Sequence, residues 1–324
     1  MAKIQFQGKE YERHSNTSVL DTLLEEGLAI PHGCKSGICQ SCLMRATEGE
    51  VPAEAQSALK ETQQAKNYFL SCSCYPENDI TVVLPEDDEI LHFNAAIKEK
   101  ENLNGSVIRL RLTVPEGFSY KAGQFINLIK DEENQRSYSL ASVPEEDDYL
   151  ELQIKVLNNG LVSGWIKNEL QIEQEVQLSE AHGDCYYQAD ESNQPILLIG
   201  TGTGLAPLIA VVRDALKNNH KGQISLYHGA SQSNELYLQD ELNSLADKYG
   251  NFSYSPCVSK GDAKDGETSG RANEVALQQH PDLKGYKIYL CGNPNMTEAT
   301  RKKAFLAGAN FSDILVDAFK FATT

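Results

Sequence analysis

The segment Pro31-His-Gly-Cys34-Lys-Ser-Gly-Ile-Cys39-Gln-Ser-Cys42 sets three cysteines at the spacing Cys-x4-Cys-x2-Cys, and Cys72 follows 30 positions after the last. A 2Fe–2S cluster needs four thiolates, three on one tight loop and a fourth returning from elsewhere, and this spacing supplies that set. Gly33 and Gly37 give the loop the backbone freedom to fold around a compact cluster. Zinc sites prefer closely spaced pairs of hooks, so the x4 gap and the long return fit zinc poorly. Cys74 stands two residues beyond Cys72, and spacing alone does not choose between them.

Outward from this loop, five of the eight cysteines lie in the first 74 residues, and Cys185, Cys257 and Cys291 are scattered later. The N-terminus, MAKIQFQGKE, lacks the apolar stretch of a secretory leader, so the expectation is thiols that act as ligands, active-site groups or core residues, not a disulfide framework. The 324 residues suggest two or three domains. With 46 acids against 29 bases the net charge is −17, which argues against nucleic-acid binding. No apolar run approaches a membrane span. A cytoplasmic monomer is the expectation. Residues 1–90 hold 15 acids and 7 bases, which suits either a solvated surface or steering onto a basic patch of an electron acceptor.

The periodicity divides the chain into three regions. Residues 1–88 open with a hairpin around Ile4, Phe6 and Tyr11, then a helix from Ser18 to Gly27 with Leu20, Leu23 and Leu24 on one face. The acidic segment Pro85–Glu89 begins a linker. Residues 93–189 carry alternating strands, clearest at Val107–Val114 and Leu150–Val156, and one helix at Gly160–Leu170. That pattern predicts a small antiparallel barrel. After the polar stretch Asp190–Gln194, residues 195–324 alternate strands (Pro195–Gly200, Gln223–Gly229, Phe252–Val258, Lys287–Cys291) with helices (Ala206–Lys217, Gln239–Lys248, Thr297–Ala307), with Ser259–Ser269 as a loop. A parallel α/β sheet follows.

Three further segments carry chemistry. Arg136-Ser137-Tyr138-Ser139 puts a cation, an aromatic ring and hydroxyls within four residues of a strand start, a set able to meet a phosphate, a ring face and a ring nitrogen. Gly200-Thr201-Gly202-Thr203-Gly204-Leu-Ala-Pro207 follows a buried strand and opens a helix, where glycine backbone and helix N-terminus suit a pyrophosphate. Cys291-Gly292-Asn-Pro-Asn-Met296 places Cys291 at a strand C-terminus, the end at which open α/β sheets bind ligands. Cys185 and Cys257 read as core thiols. The seven histidines show no metal spacing, and His228 rides the strand that runs into the nucleotide end.

The cysteine loop resembles that of plant-type ferredoxins, and Leu70-Ser-Cys72-Ser-Cys74-Tyr-Pro76 with Asp79-Ile80 resembles the family's closing strand. The resemblance implies a β-grasp domain and selects Cys72, four residues before the proline, as the fourth ligand beside Cys34, Cys39 and Cys42. Arg136–Ser139 is similar to the R-x-Y-S motif of the ferredoxin–NADP reductase superfamily. There the Arg holds the flavin pyrophosphate, the Tyr packs on the flavin and the Ser contacts N5. Gly160-Leu-Val-Ser163 fits that family's second phosphate contact. The family's Gly-Pro-x-Gly turn is represented only by the last residue of Glu180-Ala-His-Gly183. FAD is favoured over FMN. Gly200–Pro207 and Cys291–Met296 resemble the family's G-x-G-x-G-x-x-P and C-G-x-P-x-M, which implies that Cys291 lies beside the nicotinamide. Phe319 matches the terminal aromatic over the flavin, with Phe321 as its rival.

In Ala230-Ser-Gln-Ser-Asn-Glu235-Leu-Tyr237 there is no base for a 2′-phosphate, many relatives having Arg where Ser231 stands, so NADH is favoured over NADPH. The whole order resembles the NADH-dependent reductase components of bacterial multicomponent oxygenases. It implies hydride transfer from NADH to FAD and single electrons through the cluster to a terminal oxygenase or other acceptor protein. A reductase for a deoxysugar-biosynthesis dehydrase shares the arrangement. An electron carrier or redox sensor with little reductase activity is the reading from another class.

Overall fold

The computed structural model describes residues 2–14, 16–32, 35, 41–85, 92–131, 134–188 and 192–319. It divides into two compact units, Met1–Ile90 and Leu91–Thr324. The proposed linker falls almost entirely outside the described residues, which end at Pro85 and resume at His92.

In the first unit β1 (Lys3–Phe6), β2 (Lys9–Glu12), α1 (Val19–Glu25), β3 (Leu43–Glu48), α2 (Glu61–Ala65), β4 (Tyr68–Leu70) and β5 (Ile80–Val83) follow in order. The strands form one sheet in the order β2-β1-β5-β3-β4, with β1 and β5 parallel. Alternation explains the packing: Ile4 and Phe6 of β1 and Ile80 and Val82 of β5 turn inward beneath Val19, Leu20 and Leu23 of α1. Ser18 caps that helix, its hydroxyl accepting from the Asp21 N–H at 3.1 Å. The helix grasped by a mixed sheet is the β-grasp arrangement expected above.

The second unit begins with β6 (His92–Asn102), β7 (Val107–Thr113), β8 (Phe125–Ile129), β9 (Gln135–Ser139), β10 (Tyr149–Lys155), α3 (Leu161–Asn168) and β11 (Glu175–Ser179). These strands pair antiparallel in the order β10-β7-β6-β11-β8-β9. A bridge between Leu140 and Leu152 brings the two edge strands together and makes the sheet a barrel. Its interior is filled by the alternating Leu110, Leu112, Leu150, Leu152 and Ile154, each worth about 1.5–3 kcal/mol when buried.

The unit continues with β12 (Ile196–Thr201), α4 (Leu205–Lys217), β13 (Ile224–Ala230), α5 (Gln239–Lys248), β14 (Phe252–Val258), β15 (Thr268–Ser269), α6 (Ala272–Gln279), β16 (Lys287–Gly292), α7 (Pro294–Leu306) and β17 (Ile314–Ala318). All six strands are parallel, in the order β15-β14-β13-β12-β16-β17. Ser259–Ser269 is not loop throughout, since its last two residues form β15. The helix expected from Thr297 starts instead at Pro294, because the Asn293 side chain accepts the N–H groups of Asn295 and Met296 and proline suits the first helical position.

Barrel and parallel sheet share a core. Val107, Ala141, Cys185 and Tyr187 pack with Leu205, Leu208 and Val211. Arg213 of α4 grips Asp147 of the barrel with two hydrogen bonds of 2.8 and 2.9 Å, a bidentate pairing stronger than the exposed Lys98–Asp148 ion pair.

Candidate functional site

In the first unit the register of β3 on β4 pairs Leu43 with Leu70, so Cys42 and Ser71–Cys72 emerge side by side. The Cys42 carbonyl accepts from both the Ser71 N–H (3.0 Å) and the Ser71 hydroxyl (2.9 Å). The Cys72 N–H and thiol both reach the Cys42 sulfur, whose pKa burial pushes up. A pair of buried, adjacent sulfurs with a backbone N–H turned on one of them suits an iron-bound thiolate. Cys74 is fully buried among the core side chains, its thiol pushed up to about 12 by burial, and its carbonyl accepts the Val19 N–H at 2.9 Å. Cys34 and Cys39 lie outside the described residues, as do Gly33 and Gly37.

In the second unit the strand order reverses between β12 and β16. The chain steps outward from β12 through β13, β14 and β15, then returns to the other flank of β12 with β16 and β17. Such a reversal opens a crevice at the strand C-termini, the ligand site of open α/β folds. Gly200 stands there with Cys291 as its neighbour on one side and His228 on the other. The loop Gly202–Gly204 makes a single tight turn that runs without a break into α4, with Pro207 in its first turn. It presses on the β16 loop: a Cβ at Gly204 would lie 2.4 Å from the Cys291 carbonyl, and the Asn293 N–H donates to Thr201 Oγ1 at 3.1 Å.

The barrel meets this crevice through β9. Burial deepens along that strand: Arg136 and Ser137 are exposed, Tyr138 half-buried and Ser139 buried. The Arg136 guanidinium donates to the Gln135 carbonyl at 2.7 Å and forms no ion pair among the described residues, leaving its charge for an anion such as a flavin pyrophosphate. Ser137 donates to Asn127 Oδ1 at 2.7 Å. Gly160 precedes α3 and allows close approach of the Ser163 hydroxyl, which accepts from the Leu157 N–H at 3.2 Å. The turn that lacks the Gly-Pro-x-Gly pattern is held by reciprocal 2.8 Å backbone hydrogen bonds between Phe125 and His182.

Ser139 donates to Asp317 Oδ2 at 2.8 Å. Asp317 is the β17 partner of Cys291, and two residues on the Phe319 N–H donates to the Gly292 carbonyl at 2.8 Å. Ser139 and Cys291, distant in sequence, are thereby brought to Asp317, and the Phe319 backbone to the end of the neighbouring strand at Gly292. Burial raises the Asp317 pKa above the ordinary carboxylate range, and the Ser139 hydroxyl offsets part of that rise. Burial raises the Cys291 pKa further, with the Cys185 thiol adding to it at a sulfur–sulfur distance of 3.4 Å. Asp317 is not singled out by the sequence, and Cys185, read there as a core thiol, is indeed buried but lies against Cys291. Their contacts span 178 and 106 positions and leave no local signal. Phe321, the rival aromatic, lies outside the described residues.

Family models agree with this division of labour. Residues 3–77 match a 2Fe-2S iron-sulfur cluster binding domain, 94–187 an oxidoreductase FAD-binding domain and 198–302 an oxidoreductase NAD-binding domain. The chain is thus an oxidoreductase that joins a 2Fe–2S domain to FAD- and NAD-binding domains. This reductase is 29% identical over 310 residues to the ferredoxin–NAD(P)+ reductase component of the naphthalene 1,2-dioxygenase/salicylate 5-hydroxylase systems of Ralstonia sp., covering 94% of both chains. It is 29% identical to the reductase component of propane 2-monooxygenase from Gordonia sp. strain TY-5, over 98% of this chain and 96% of that one. It is also 29% identical to the CDP-6-deoxy-L-threo-D-glycero-4-hexulose-3-dehydrase reductase of Yersinia pestis, over 98% and 97%. Among solved structures, the Amycolatopsis cytochrome P450 reductase GcoB superposes with a TM-score of 0.68 at 25% identity, over 98% of this reductase and 99% of that chain. No helix among the described residues is long and apolar enough to cross a membrane.

Proposed function

We propose that the chain is the NADH-dependent reductase component of a multicomponent oxygenase. The observation that carries this reading is the meeting, at one sheet reversal, of the glycine-rich loop, the Cys291–Gly292 strand end and Ser139 of the barrel. When bound, the flavin would take the hydride of NADH and pass electrons singly to the cluster and on to the acceptor. Arg136, Gly160 and Ser163 would hold the flavin phosphates, Tyr138 its ring and ribityl chain, and Ser139 the face where hydride arrives. Ser137 shapes the same strand.

Gly200, Thr201, Gly202, Thr203 and Gly204 would receive the NADH pyrophosphate, with Pro207 fixing the start of α4. Cys291 and Gly292 would face the nicotinamide, and Phe319, hydrogen-bonded to Gly292, would cover the flavin until the nicotinamide displaces it. Cys34, Cys39, Cys42 and Cys72 would hold the 2Fe–2S cluster. The domains run 1–88, 93–189 and 195–324. The choice of NADH is supported by Glu235: its carboxylate accepts from the Ser231 N–H at 2.9 Å and the Gln232 N–H at 3.2 Å, so a 2′-phosphate would meet negative charge where a base is needed.

Cytochrome c reduction tests the proposal. NADH should support turnover with kcat/KM about tenfold or more above NADPH, a difference of about 1.4 kcal/mol, because the Glu235 carboxylate would repel the 2′-phosphate. Equal rates, or NADPH ahead, would overturn the nucleotide assignment. Bound flavin without turnover would favour the sensor or carrier reading. The Yersinia relative supplies the second acceptor: activity restored to a sugar-nucleotide dehydrase and not to an oxygenase would replace the proposed partner.

A further inference from the structure

His228 is fully buried, one strand over from Gly200, and the proposed function leaves it unused. Its Nε2 lies 3.1 Å from the Gly202 carbonyl oxygen and its Nδ1 3.5 Å from the Tyr254 hydroxyl. A carbonyl only accepts, so Nε2 carries the hydrogen, and Nδ1 of the neutral ring is left to accept from Tyr254. Burial lowers the His228 pKa to about 4, so this arrangement persists at neutral pH. The ring is further fixed by the edge of Tyr237, 5.4 Å away at 82°. Tyr237 donates to Gln153 Oε1 of barrel strand β10 at 2.9 Å, with its oxygen 3.4 Å from the same Gly202 carbonyl.

Gly202 has φ of +55°, a left-handed conformation that must be held in place if the loop is to present one shape. The peptide joining Gly202 to Thr203 is trans, so its C=O and N–H point in opposite directions. Drawing the Gly202 oxygen toward His228 therefore turns the Thr203 N–H to the opposite side of the loop.

We propose that His228 is a positioning residue for the dinucleotide: its hydrogen bond to the Gly202 carbonyl aims the Thr203 N–H at the pyrophosphate. This rests on the assignment of the Gly200–Gly204 loop to NADH. Tyr237 extends the same support to the barrel, so the loop that carries NADH is referenced to the strands that carry the flavin.

The test uses the full chain with its cofactors, titrated calorimetrically with ADP-ribose and assayed with NADH. His228→Leu removes the donor, and His228→Asn keeps an amide that stops short of the Nε2 position. Both should weaken ADP-ribose and raise the KM for NADH about tenfold while leaving kcat within about twofold. His228→Gln places an amide N–H near Nε2 and should restore binding. If His228→Leu does not fold, the Asn and Gln variants still decide. Unchanged ADP-ribose affinity in the Leu or Asn variant, or a Gln variant as weak as the Asn variant, overturns the proposal. Thr203→Asp reports on the loop itself by setting a carboxylate against the pyrophosphate. If it binds ADP-ribose normally, the loop assignment fails and His228 with it. If it loses binding while the Leu and Asn variants keep it, only the His228 proposal falls.

Discussion

Cys72→Ser should abolish the iron–sulfur absorbance bands and the low-temperature electron paramagnetic resonance of the reduced cluster, yet leave the flavin bands and NADH–ferricyanide activity near those of the wild type. Ferricyanide can draw electrons from the flavin, so it bypasses a missing cluster. The geometry behind this expectation is the pairing of Leu43 with Leu70, which delivers the Cys72 thiol and N–H to the Cys42 sulfur. Serine at that position offers a hydroxyl where a thiolate ligand is required. Cys74→Ser should keep the cluster, because its thiol sits inside the β-grasp core and its carbonyl secures the start of α1. It should cost about 1–3 kcal/mol of stability, the range for a buried hydroxyl left without a partner. A bleached Cys74 variant beside a coloured Cys72 variant would exchange the two assignments.

Gly204→Ala should separate NADH from the rest of the chain. The new methyl group would fall 2.4 Å from the Cys291 oxygen and 2.9 Å from the Gly292 nitrogen, both backbone atoms that no rotamer change can move. The loop and the β16 end must part, and with them the nucleotide cradle and the cysteine expected beside the nicotinamide. A displacement near 1 Å in such a site costs about 100-fold in rate, so NADH-driven flavin reduction should fall by roughly that factor. Arg136, Tyr138 and the cluster loop are untouched, so flavin and iron content should match the wild type and dithionite should still reduce both centres. An NADH rate within about twofold of the wild type, with the fold intact, would show that the crevice between β12 and β16 is not where NADH reacts.

Much of this architecture is legible because its chemistry is local. Cys34, Cys39 and Cys42 fall within nine residues, Arg136 to Ser139 within four, and Gly200 to Pro207 within eight, each a segment whose backbone must fold around one group. The strands with strict alternation, such as Val107–Thr113 and Tyr149–Lys155, declare a buried face by period alone. Elements such as α6 and β17 do not. Helix α6 buries only Ala272, Asn273 and Ala276, small or polar residues that trace no apolar stripe. Strand β17 is five residues long with a carboxylate at its fourth position, and a short run of that kind is ambiguous between strand and helix.

What the sequence hides in the site is also non-local. Asp317 matters because β17 lies in register with β16, which sets it opposite Cys291 and in reach of Ser139. His228 matters because two parallel strands place it beside Gly200, near enough for its ring to reach around to Gly202. Neither position carries a motif: the sequence places His228 only on the strand that runs into the nucleotide end, and says nothing of its reach to Gly202 or of Asp317. The departure from Gly-Pro-x-Gly at Glu180–Gly183 is settled by a different device, the backbone bridge between Phe125 and His182.

The central claim is a single internal path from NADH to the cluster, and an anaerobic absorbance titration of the purified chain addresses it most directly. Stoichiometric NADH should bleach the flavin and iron–sulfur bands together, and NADPH should do so far more slowly. A cluster spectrum without flavin, or a bound flavin that NADH leaves oxidised, would contradict the account and reduce the chain to a ferredoxin-like carrier.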